Sequence, residues 1–61
     1  MNPEWKLAGY TITLEKDVDW NDLIVRTQVR IDARDISRRL GRTISILNVD
    51  GITLDTITWP T

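Results

Sequence analysis

The residues best suited to recognition chemistry are six arginines: Arg26, Arg30, Arg34, Arg38, Arg39 and Arg42. Asp32 and Asp35 are the only acids among them, so residues 26–42 carry +4, against −3 for residues 1–25 and −2 for residues 43–61. Both lysines, Lys6 and Lys16, lie outside the cluster. A guanidinium is a planar fork of donors matched to phosphate and carboxylate, so exclusive arginine usage points to recognition rather than bulk solubility. Three readings stay open. The arginines contact nucleic acid, on phosphates and guanine edges. They form part of a protein–protein interface, where arginine is enriched. Or they line a solvated helix face, with Arg30, Arg34 and Arg38 on one ridge and Asp35 paired to Arg39 at the i, i+4 spacing. A pI near 5.1 weighs against the first, because nucleic-acid-binding domains are usually basic.

A second cluster, Asp17-Val18-Asp19-Trp20-Asn21-Asp22, imitates the opening of a calcium loop by its acids and amide at alternate positions. Asp22 stands where glycine must make the sharp turn, and Gln28 where the bidentate glutamate belongs. The expected role of this stretch is a turn that caps the next element. No metal or other cofactor is expected.

Catalysis finds little to work with. The chain has no histidine and no cysteine, which removes the usual general base, the thiol nucleophile and the commonest zinc ligands. Sixty-one residues bury only about 60% of the surface their unfolded chain exposes, leaving little room for a cleft. A non-enzymatic module without a small-molecule substrate is expected. Small domains often gain stability by association, and Trp5, Trp20 and Trp59 supply large apolar surfaces for a core or a subunit interface. A homo-oligomer is expected on that ground. The N-terminal residues show no signal-peptide pattern, and the longest apolar run is Leu23-Ile24-Val25, so a soluble cytoplasmic protein is expected.

The elements that must position these residues are legible to different degrees. Residues 5–14 read as an extended segment, with Tyr10, Ile12 and Leu14 alternating against Thr11, Thr13 and Glu15. Residues 23–31 read as a second strand from their alternation and β-branched content. The rival is a helix capped at Asp19, which would put Leu23, Ile24, Thr27 and Ile31 on one side. Residues 32–41 read as a short helix, with Asp32 as N-cap, Ala33, Ile36 and Leu40 on the apolar face, Arg38 and Arg39 in the last turn, and Gly41 as the stop. Asp50-Gly51 predicts a two-residue type I′ hairpin that pairs Val49 with Ile52, Leu47 with Leu54 and Ser45 with Thr56. Both faces of this hairpin are partly apolar, so cover on both sides, by the rest of the domain or by a partner, is expected. The sum is one small α+β domain over residues 1–61, of ββαββ order, with two hairpins around one short Arg-rich helix.

Two resemblances bear on function. Residues 33–43, Ala-Arg-Asp-Ile-Ser-Arg-Arg-Leu-Gly-Arg-Thr, resemble the first half of a helix-turn-helix. The order from Tyr10 to Trp59 is similar to the swapped-hairpin DNA-binding domains of the AbrB/MazE type, with Val29-Arg30-Ile31, Ile36, Leu40-Gly41 and Asp50-Gly51-Ile52 in comparable places. That resemblance implies an interleaved homodimer touching DNA through Arg26 and Arg30. The expected function is therefore a small DNA-binding transcriptional regulator acting through the arginine segment. The alternative is a structural or adaptor protein of a larger assembly, such as a phage particle, acting through protein–protein contacts.

Overall fold

A computed structural model describes residues 4–60. The elements are β1 (Trp5–Ala8), β2 (Thr11–Leu14), α1 (Leu23–Leu40), β3 (Ile44–Leu47) and β4 (Thr53–Ile57). The order is ββαββ and the class α+β, as expected. The strands form one sheet in the order β1-β2-β3-β4. β1–β2 and β3–β4 are antiparallel hairpins, and the central pair β2–β3 is parallel. A parallel pair needs a long crossover, and α1 supplies it.

The two N-terminal strands come from a different part of the chain than the alternation suggests. Residues 5–14 are not one extended segment; they fold back at Gly9-Tyr10, so that Ala8 pairs with Thr11 and Trp5 with Leu14. Residues 23–31, expected as a strand, are the first half of the helix. The reason is a competing period. Val25, Val29, Ala33, Ile36 and Leu40 form one stripe at three- and four-residue spacing, and it continues through the segment in which the arginines lie. The helix is therefore 18 residues long rather than about ten.

Its N-cap is Asp22, whose carboxylate accepts hydrogen bonds from the N–H groups of Ile24 at 2.9 Å and Val25 at 3.4 Å. Asp19 accepts from the Asn21 N–H one turn earlier, and Asp32, expected as the cap, lies mid-helix. The stop is as expected: Gly41 is left-handed at φ 63°, and the Ser37 carbonyl accepts from the N–H groups of Gly41 and Arg42. Ser37 is fully buried and its hydroxyl donates to the Arg42 carbonyl at 2.7 Å, so the turn out of the helix is tied down from inside.

The core lies between α1 and one face of the sheet. It comprises Trp5, Ile12, Leu14, Ile44, Ile46 and Ile57 from the strands and Val29, Ala33 and Ile36 from the helix. Val18, Trp20, Val25 and Leu54 pack around its edge. Residues at the alternate strand positions, among them Thr11, Thr13, Ser45, Leu47 and Thr56, belong to the opposite face. Among the described residues no second layer covers that face, so within the chain the C-terminal hairpin is covered on one side.

That hairpin also turns differently. A type I′ turn needs positive φ at both central residues, but no described non-glycine residue has positive φ, so Asp50 cannot serve. The reversal is Asn48-Val49-Asp50-Gly51, closed by the Gly51 N–H on the Asn48 carbonyl at 3.0 Å, with Gly51 at φ 80°. The Asn48 side chain accepts from the N–H groups of Asp50 and Ile52, which holds the longer loop. The register changes accordingly: Ser45 pairs with Thr56 as expected, but Leu47 pairs with Thr53 across a bulge, and Val49 and Ile52 are left exposed.

Candidate functional site

The six arginines divide by what holds them. Arg26 lies over the Trp20 ring, 5.2 Å from its centroid, and its Nε donates to the Trp20 carbonyl at 3.1 Å. Arg30 reaches across to β4 and forms an ion pair with Asp55, which stands on the helix-covered face opposite Ile46. Arg39 pairs with Asp35 at 2.8 Å, the i, i+4 contact expected from spacing. Arg42 lies over the Tyr10 ring at 5.7 Å. Arg34 and Arg38 make no hydrogen bond, ion pair or ring contact among the described residues. The expected ridge of Arg30, Arg34 and Arg38 thus keeps two free cations, because Arg30 is turned inward by a carboxylate 25 positions away.

The two acids of the arginine segment are also engaged. Asp35 holds Arg39, and the Asp32 carboxylate accepts from the Trp5 indole Nε1 at 2.6 Å. Arg34 and Arg38 therefore stand one turn apart on exposed helix surface without an ion pair among the described residues. Beside them are Asp35, which is paired with Arg39, and Asp32, whose negative charge the neutral Trp5 indole does not cancel.

They do not stand alone. On a helix, positions 24, 27, 31, 34 and 38 follow alternating three- and four-residue steps and share one side. This side is opposite the buried stripe of Val29, Ala33 and Ile36. Ile24 and Ile31 keep 75% and 58% of their surface exposed, and the flanking Leu23 keeps 73%. Thr27, between the isoleucines, already donates its hydroxyl to the Leu23 carbonyl at 2.8 Å, which removes that donor from the surface. A shallow groove of about 280 Å³ is lined by Ile31, Asp32, Arg34, Asp35 and Arg38. The outer face of α1 is consequently apolar in its N-terminal half and cationic in its C-terminal half, over about 21 Å from Ile24 to Arg38 at about 1.5 Å rise per residue.

Sequence reasoning singles out the arginines and misses Ile24 and Ile31 as surface residues. The signal is present in the helical alternative, where Leu23, Ile24, Thr27 and Ile31 share one side. That side is solvent, not core.

The Asp17–Asp22 stretch supplies the helix cap and the turn before it, and no group of three or more acids among the described residues is arranged to hold a metal ion. No helix among the described residues is long and apolar enough to cross a membrane. Compared with known proteins, the chain matches no family model, no curated protein and no solved structure.

Proposed function

We propose that this chain is a protein-binding module, acting as an adaptor or structural component, that docks its partner through the outer face of α1. The observation that carries the reading is the exposure of Ile24 and Ile31 in line with Arg34 and Arg38, which form no ion pair among the described residues. Exposed large apolar residues scattered singly are ordinary, but several aligned on one face beside arginine match the composition of protein interfaces. Desolvating both isoleucines on binding contributes roughly 1–3 kcal/mol each towards docking a partner helix.

The same geometry weighs against nucleic acid as the occupant. Arg30 is drawn inward by Asp55, and only Arg34 and Arg38 of the six are without a partner among the described residues. Were those two alone to meet phosphate, the salt slope would be about −1.8, against about −10 for a strong DNA-binding repressor. Ile24 and Ile31 would also meet the most highly charged of biological surfaces.

A photo-crosslinking amino acid at Gln28, exposed beside the stripe, tests this in the cells that make the protein. The expected result is a discrete protein adduct that disappears in the Ile24→Glu, Ile31→Glu double variant. Adducts with nucleic acid alone, or a protein adduct indifferent to that double variant, would sink the proposal.

A further inference from the structure

The outer face of α1 also constrains the chemistry and direction of its occupant. Resting on the docking role of that face, we infer that the partner element is an acidic amphipathic helix, antiparallel to α1, with its carboxylates in its N-terminal half. Charge complementarity sets the composition. Arg34 and Arg38 make no ion pair among the described residues, and between Ile31 and Leu40 three arginines outnumber the two acids Asp32 and Asp35, so carboxylates are the complementary groups. Ile24, Thr27 and Ile31 need apolar side chains at matching three- and four-residue steps.

Helix dipoles set the direction. The C-terminal end of α1 carries partial negative charge, and a partner lying antiparallel brings its partly positive N-terminus there. Carboxylates in the first turns of that partner are favoured twice, by their own helix dipole and by the two guanidiniums beneath. A parallel partner would place its acids in its last turns, where its own dipole opposes them.

A second copy of α1 meets neither requirement. In parallel register Arg34 faces Arg34 and Arg38 faces Arg38, a like-charge clash. In an antiparallel pair centred on Ile31, Ile24 of one copy faces Arg38 of the other, Arg34 faces Gln28 and Thr27 faces Asp35. Apolar surface then meets a cation at each end, and neither arginine lies directly opposite a carboxylate. The face is built for a different chain, while the sheet edges and its uncovered face stay available for association of like copies.

Three labelled helical peptides test the inference by fluorescence anisotropy against the full chain. All carry the same apolar stripe. One has glutamates in its N-terminal half, one has the same glutamates in its C-terminal half with the stripe moved accordingly, and one has lysines in place of glutamates. The first is expected to bind about two- to fivefold tighter than the second, because the ion pairs are common to both and only the dipole alignment differs. The Arg34→Glu, Arg38→Glu chain is expected to lose that preference and to favour the lysine peptide.

No binding by any peptide, equal binding by the two glutamate peptides, or preference for the second overturns the inference. So does self-association of the chain that the Ile31→Glu variant abolishes. The crosslinking result separates the two levels. An adduct that depends on Ile24 and Ile31 but is untouched by the double arginine reversal leaves the docking role standing and removes the acidic-helix partner. Loss of the Ile-dependent adduct removes both.

Discussion

The indole Nε1 of Trp5, on the edge strand β1, donates a 2.6 Å hydrogen bond to Oδ2 of Asp32 in the middle of α1. The bond joins residues 27 positions apart and makes an acid with the local character of a helix cap into a clamp between helix and sheet. Trp5 is almost completely buried, so an orphaned indole N–H there would be costly. Asp32→Ala is expected to destabilise the chain by about 1–3 kcal/mol, the range for losing a partner of a buried donor. Asp32→Asn, which keeps a carbonyl acceptor, should cost less than half as much. Urea denaturation followed by tryptophan fluorescence reads both.

The ends of α1 should respond unequally to alanine. Asp22→Ala removes the cap that accepts from two backbone N–H groups and is expected to cost about 1 kcal/mol. Gly41→Ala must hold φ at 63°, at about 1–2 kcal/mol, although the added methyl has room beside the Trp59 indole at 3.7 Å. For a chain of this size each kcal/mol moves the melting midpoint by about 4–8 °C, so thermal scans resolve both.

Arg30 and Asp55 join α1 to β4 in a half-buried ion pair. A double-mutant cycle with Arg30→Ala and Asp55→Ala is expected to give a coupling of about 1 kcal/mol that shrinks as salt is raised, since both groups retain contact with water. Zero coupling would mean that the pair only decorates the packing of Val29 and Ile57.

The two sides of α1 should differ sharply in their tolerance of substitution. Ile24→Glu and Ile31→Glu are expected to change stability by no more than about 0.5 kcal/mol, because both side chains are mostly exposed. Ile36→Ala, on the buried stripe, is expected to cost about 2–4 kcal/mol. Equal losses on the two sides would show that the outer isoleucines hold the fold together, leaving no reason to assign them to a partner.

Nucleic-acid contact has its own readout. Arg34→Ala with Arg38→Ala should leave any weak binding to duplex DNA at low salt nearly unchanged in specificity while flattening its salt slope by about two units. A steep residual slope would bring the other four arginines back as contacts.

Local chemistry is legible wherever a single conformation satisfies every local rule. Gly41 after Arg38 and Arg39 marks a helix end, Asp35 and Arg39 mark an ion pair, and Ser45 with Thr56 marks the register of the last two strands, all from residues close in the chain. The turn at Asn48 is not legible in the same way, because Asp50-Gly51 is compatible with more than one hairpin loop and Asp50 takes negative φ here. The hairpin at Gly9-Tyr10 carries too weak a signal to divide residues 5–14, although the alternation across it is real.

Residues 23–31 show most clearly what the sequence by itself could determine and what only tertiary structure decided. Leu23, Val25, Val29 and Ile31 fit a strand, while Val25, Val29, Ala33 and Ile36 fit a helix, and nothing local separates the two periods. The sheet decides, because Ile12, Leu14, Ile44, Ile46 and Ile57 present one apolar face that needs a long helical stripe to cover it. Residue types alone placed the arginines between Arg26 and Arg42 and left the chain without histidine and cysteine. Which arginines are free was settled by partners distant in sequence, Asp55 for Arg30 and Tyr10 for Arg42. Packing also turned Ile24 and Ile31 outward, since a helix lying on a single sheet can bury only one of its sides.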